Sequence, residues 1–143
     1  MRYLGIDFGT QKIGLALSDA DGRFAFPNSI IPNDGNLLRK VVDIVIEESV
    51  DAIVIGESIA LSGDKNPLQD TAEIFAKDLE TRSEKEIFWE PEWFSSSEAV
   101  RTSKEFVNPG NENIRTRPVE SSNIDAKSAA IILQRFLDRK NIN

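Results

Sequence analysis

The stretch YLGIDFGTQKIGLALSD, residues 3–19, decides the fold. YLGID is an apolar run of strand length, FGTQK has the composition of a glycine turn, and IGLALSD reads as the antiparallel partner of the first run. Asp7 closes the first run directly before the turn. An isolated Asp there can serve only to shape a turn. Its meaning depends on which other groups the fold brings to it.

Working outward, FAFPNSII (24–31) is a third strand whose Pro27 suits an edge or a bulge, where a missing N–H does no harm. Asp34 can cap a helix running to about Val50, with Leu37, Leu38, Val41, Ile44 and Val45 at helical spacing. DAIVIGES (51–58) is a fully buried strand. Asn66, Pro67, Leu68 and Gln69 have the pattern of a helix start, and Leu68, Ala72, Phe75, Ala76 and Leu79 form its inner stripe. EIFWE (86–90) is the next strand, and Ser95 with Glu98 opens a helix over 97–107. Residues 108–118 read as a loop, and a last helix begins near SSNIDAKSAAIILQRFLD.

Three strands followed by alternating helices and strands make an α/β domain, and one domain fills residues 1–143. Right-handed crossovers set the fourth and fifth strands beside the first as parallel neighbours. Acids at the C-terminal ends of strands one, four and five then converge on one crevice, where open α/β sheets bind ligands. Those acids are Asp7, Glu57 and Glu92, and Asp125 can join them from the last helix. Ser122 and Asp125 also have capping-box spacing, a role compatible with a place in the site.

Composition narrows the chemistry. The chain has no Cys and no His, which removes disulfides, thiolate sites and imidazole catalysis, and leaves carboxylates, lysines, hydroxyls and water. The absence of Cys suits a reducing cytoplasm, and no membrane-spanning run or signal peptide is evident, so a cytoplasmic protein without membrane contact is expected. Net charge is −7, but unevenly spread: residues 1–100 carry 9 basic against 19 acidic side chains, and residues 101–143 carry 8 against 5. The basic C-terminal part can guide a phosphate backbone although the whole is acidic. Three gathered carboxylates repel one another unless a cation neutralises them, and hard oxygen donors suit Mg²⁺ or Mn²⁺.

GIDFGTQKIGLALSD, DAIVIG, FAKDLE, SSSEA and IDAKSAAIILQRFLD together resemble the YqgF/RuvX family over nearly the whole chain. The resemblance implies an RNase H-like fold, a five-stranded mixed sheet of order 3-2-1-4-5 with helices on both faces. It implies a nuclease that matures the small-subunit rRNA precursor or resolves Holliday junctions, with Mg²⁺ or Mn²⁺ as cofactor. By position, Asp7 matches the family's first-strand aspartate and Asp125 the one opening its last helix. The family's Asp-Glu-Arg corresponds to Pro91, Glu92 and Trp93, so the middle acid is kept and the arginine is missing. Related RuvC-type resolvases use a fourth-strand glutamate, which leaves Glu57 and Glu92 both open as the middle ligand. Arg115, Arg117 and Lys127 can replace the missing cation, and with Lys12 and Trp93 they are the candidate nucleic-acid contacts. Trp89 reads as core and Trp93 as surface. A monomer or homodimer is expected, the latter if a branched DNA junction is cut symmetrically.

Two other readings are open to the same residues. GIDFGT also resembles the first phosphate loop of actin-like ATPases and sugar kinases, which need a second such domain. A relative that keeps the fold and binds RNA or a protein partner without cutting is the non-enzymatic reading.

Overall fold

The computed structural model describes residues 1–60, 67–94 and 119–142. In chain order these form β1 (Tyr3–Phe8), β2 (Lys12–Ser18), β3 (Ala25–Pro32), α1 (Leu37–Glu47), β4 (Ala52–Ala60), α2 (Pro67–Ser83), β5 (Glu86–Phe94) and α3 (Val119–Ile142). The strands make one five-stranded sheet of order β3-β2-β1-β4-β5. β1 pairs antiparallel with β2 and parallel with β4, and β4 pairs parallel with β5. This is the arrangement the right-handed crossovers demand, with β1 at the centre.

Strand alternation sorts β1 onto two faces. Leu4, Ile6 and Phe8 point to a core shared with α1 and α2, while Tyr3 belongs to a second core under α3. Leu37, Val41 and Val45 recur every fourth residue and are the buried stripe of α1. Ala72, Phe75, Ala76 and Leu79 do the same for α2. Ala129, Ile132, Leu133, Phe136 and Leu137 of α3 cover the opposite face. Each large apolar side chain so buried is worth about 1.5–3 kcal/mol. Among the described residues, no helix is long and apolar enough to cross a membrane.

Pro27 falls on the edge strand at a bulge, as expected: Leu15 pairs with Ser29 and Ala16 with Pro27, leaving Asn28 as the extra residue. The start of α1 differs from expectation. Asp34 Oδ1 accepts from the Asn36 N–H at 2.9 Å, closing a local turn, and the helix begins only at Leu37 with Asn36 as its cap residue. A short acid can satisfy the backbone two residues on, and here that turn displaces the helix start. The helix also stops before Val50. Val50 N–H bonds to Val45 O and Ser49 N–H to Ile46 O, with Ser49 left-handed at φ 54°, a Schellman termination.

β5 runs past EIFWE to Phe94, so Glu92 lies within the strand rather than beyond it. α3 begins at Val119, which sets Asp125 in its second turn, past the position where an acid caps the helix or meets its dipole. The helix expected over 97–107, the loop over 108–118 and the Asn66 cap lie outside the described residues.

Candidate metal and nucleic-acid site

The pleat decides which acids meet. Tyr3 packs under α3, and a side chain at Gly5 would strike Leu133, so the next residue of the same parity, Asp7, faces α3 as well. On β4, Val54 and Gly56 have this parity, whereas Ile53 and Ile55 belong to the core under α1 and α2. Continuing the β1–β4 register one step beyond Ile6–Ile55 sets Gly56 beside Asp7.

Glu92 is two residues beyond Glu90 on β5, and Glu90 bonds to Arg139 of α3, so both acids face that helix. A Cβ built on Gly56 would lie 3.6 Å from Glu92 Oε2. The Glu92 carboxylate therefore reaches across β4 toward Asp7, over the space that glycine keeps clear. A methyl at position 56 would meet that carboxylate at ordinary contact distance, and a longer side chain would crowd it.

Glu57 has the parity of Ile53 and Ile55 and so belongs to the other face of the sheet, away from Asp7. Its neighbour Ser58 is anchored there by α2, since the buried Gln69 accepts from the Ser58 N–H at 3.0 Å through Oε1. The pleat thus puts Asp7 and Glu92 on one face of the sheet and Glu57 on the other. The backbone of Asp125 lies two turns before Ile132, whose Cδ1 would be 2.7 Å from a Cβ on Gly56. The Asp125 and Trp93 side chains, with Arg115 and Arg117, lie outside the described residues. Trp89 is partly buried against the α1/α2 core, as its alternation indicated. Among the described residues, no three acid, His or Cys side chains are gathered as an ion site.

Lys12 flanks Asp7 on the β2 side: it shares the parity of Gly14, the β1 partner of Asp7. It is exposed and lines a shallow depression of about 610 Å³ with Ile30, Pro32 and Ala126, between the edge strand and the N-terminal half of α3. Lys127 is exposed on the same helix.

The electrostatics single out Glu92. Burial raises its carboxyl above the ordinary range, Arg135 of α3 pulls it back, and Glu90 pushes it further up. A group whose folded pKa is raised favours folding while protonated, and stability is lost as pH rises from the unfolded pKa through the folded one. Glu92→Gln is therefore expected to raise Tm above wild type at pH 8 in the presence of a chelator. The difference should vanish below about pH 4, where both states are protonated. An equal or lower Tm for the variant at pH 8 refutes the assignment. Desolvated acid charge of this kind fits a hard divalent cation, which supplies the neutralising charge that burial denies.

A family model described as RuvX, Holliday junction resolvase, matches residues 1–139. A proposed pre-16S rRNA nuclease of Ehrlichia chaffeensis is 37% identical over 96% of this chain and 85% of its own length. Another, from Maridesulfovibrio salexigens, is 33% identical over 97% of this chain and 99% of its own. Among solved structures, Thermus thermophilus RuvC matches with a TM-score of 0.58 at 13% identity, over 98% of this chain and 96% of that one. The fowlpox virus Holliday junction resolvase matches at 0.57 and 14% identity, over 97% of this chain and 99% of that one. These two share the RNase H-like fold with it. By a match spanning residues 1–139 and by relatives above 30% identity over nearly its whole length, this chain belongs to the RuvX family.

Proposed function

We propose that this chain is a divalent-metal-dependent nuclease that hydrolyses phosphodiester bonds in the small-subunit rRNA precursor. The observation that carries this is the Glu92 carboxylate, half-buried and reaching over Gly56 toward Asp7. Asp7 and Glu92 would hold Mg²⁺ or Mn²⁺, with Asp125 as the third ligand from α3. When bound, such ions activate a water and stabilise the leaving oxygen of an in-line displacement. The chain's own part is to hold the acids at one point and to bind the backbone. β1 and β5 fix Asp7 and Glu92 on the α3 face, Gly56 leaves room between them, and Lys12 offers a cation to a phosphate on the β2 side. The names of the relatives support an RNA substrate.

A second reading, resolution of four-way DNA junctions, is favoured by the description of the family model. Symmetric cleavage of a junction needs two sites, hence a homodimer. A panel of precursor rRNA, single-stranded RNA and four-way junction DNA, each with Mg²⁺ and with Mn²⁺, separates the two. Cleavage of the precursor by a monomer supports the first, paired nicks by a dimer the second, and no cleavage of any substrate refutes both in favour of a binding protein.

The same assay tests the pleat. Glu92→Gln is expected to lower cleavage about 100-fold, near 2.7 kcal/mol of barrier, since an amide keeps one oxygen but no charge. Glu57→Gln should stay within about twofold, because a group on the far face changes no charge near the ion. A loss in Glu57→Gln as large as in Glu92→Gln would overturn the choice between them.

A further inference from the structure

The α3–β5 seam carries a ladder of charge whose second rung is open. Its first rung is closed: Arg139 Nη2 meets Glu90 Oε1 at 2.5 Å, and the Glu90 side chain is 6% exposed. α3 runs antiparallel to β5 here, because its N-terminal half lies at the C-terminal ends of the parallel strands. One helical turn back from Arg139 is Arg135, about 6 Å along the axis. Two residues on from Glu90 is Glu92, about 6.6 Å along the strand. The two steps match, so Arg135 stands on the same side of the seam, level with Glu92.

Arg135 does not close its rung. Its side chain is exposed and, among the described residues, makes no ion pair or side-chain hydrogen bond. An exposed guanidinium beside an acid that it does not pair with can hold a second anion. The site needs such a cation, because clustered carboxylates in a chain of net charge −7 repel an approaching phosphodiester. Lys12 serves the β2 side of Asp7, and Lys127 lies around the helix toward β3. On the β5 side, Arg139 is taken up by Glu90, which leaves Arg135 as the described cation level with Glu92.

We propose that Arg135 is a substrate-binding residue, its guanidinium holding a backbone phosphate of the nucleic acid on the β5 side of the Asp7–Glu92 site. This rests on the nuclease reading for the identity of the substrate. The backbone then crosses the sheet from Lys12 past Asp7 to Arg135. Its planar donor fork suits a phosphate better than a point charge does.

Binding without turnover decides it. The full chain is titrated into fluorescein-labelled single-stranded RNA, and separately into labelled four-way junction DNA, in a chelator and over a series of KCl concentrations. Arg135→Gln should weaken binding about tenfold at low salt, and should flatten log Kd against log salt by about 0.7 on single strands, the signature of one lost phosphate contact. Arg135→Lys should recover part of the affinity and all of the slope. Lys77→Gln, an exposed cation of α2 on the far face, should match wild type in both. Where cleavage is measured, KM should rise more than kcat falls.

Unchanged affinity and slope in Arg135→Gln overturn the proposal, as does absence of binding by the wild-type chain. A lowered Tm, or an altered metal requirement, with unchanged metal-free binding also overturns it, since Arg135 then acts only on Glu92. If the wild-type chain binds but never cuts, the nuclease reading fails, and the binding arm still decides Arg135.

Discussion

Asp7→Asn is expected to cut Mg²⁺- or Mn²⁺-dependent cleavage by about 1,000-fold, near 4 kcal/mol of transition-state stabilisation, while leaving the fold intact. The size follows from where Asp7 sits. It is on the central strand, paired with Gly14 of β2 on one side and next to Gly56 of β4 on the other, so its carboxylate has glycines for flanking neighbours on its own face. A carboxylate in that position is the group around which the others can assemble: Glu92 approaches from β5 across Gly56, and α3 covers the same face. Asn matches the shape of Asp but carries no charge, so the ion loses an anionic ligand while the strand keeps its hydrogen bonds. The ladder of β1 with β2 and β4 is made by the backbone, and the core residues Leu4, Ile6 and Phe8 point the other way. Tm should accordingly stay near wild type. Initial rates across a metal titration, with thermal melts of the same preparations, check both halves. Residual cleavage above about a tenth of wild type, a loss of less than 1.4 kcal/mol, refutes Asp7 as a ligand.

The strands and their order were legible because β1, β2 and β4 are strongly apolar runs and the connection rules leave few ways to arrange them. The choice between Glu57 and Glu92 was not. In β4 both parities are apolar, Ile53 and Ile55 on one face and Val54 on the other, so alternation in the sequence does not say which face is which. Only packing against α3 assigns the faces, and then the parity of position 57 sets Glu57 apart. The start of α1 is not legible in the sequence because Asp34 can cap a helix or close a turn with equal chemistry, and here the Asn36 N–H captures it. Asp125 was expected in the first turn of its helix because SSN has the form of a cap, whereas the helix extends back to Val119. Arg135 was missed because it lies on the solvent side of a helix whose buried stripe dominates the pattern. The one available signal was a double spacing: arginines four apart on α3 against glutamates two apart on β5.

Gly5→Ala is expected to destabilise the chain by about 1–3 kcal/mol, an overpacking cost, and to lower Tm by about 3–10 °C. Gly5 lies on β1 two residues before Asp7, where α3 crosses the sheet. A Cβ there would stand 2.7 Å from Leu133 Cβ and 3.1 Å from the Ala129 carbonyl oxygen. Neither atom is the free end of a side chain. Both are fixed to the helix axis, so the helix itself must move. Shortening the neighbour therefore brings no relief: Leu133→Ala keeps its Cβ, leaves the clash in place and adds a cavity, so the double variant should be less stable than either single one. Gly56→Ala is the contrast. Its Cβ would meet Ile132 Cδ1 at 2.7 Å, the far end of a flexible chain that can rotate away, and Glu92 Oε2 only at 3.6 Å, an ordinary contact. Gly56→Ala should cost less, and Ile132→Val should partly rescue it. Activity separates the two glycines further. Lifting α3 from β1 moves the whole helix that carries Asp125 and Arg135 relative to the strands that carry Asp7 and Glu92, so Gly5→Ala should lose cleavage well below its melting range. Paired melts and rate measurements at 20 °C test this, and a Gly5→Ala variant as stable and as active as wild type would mean that α3 does not rest on β1 as described.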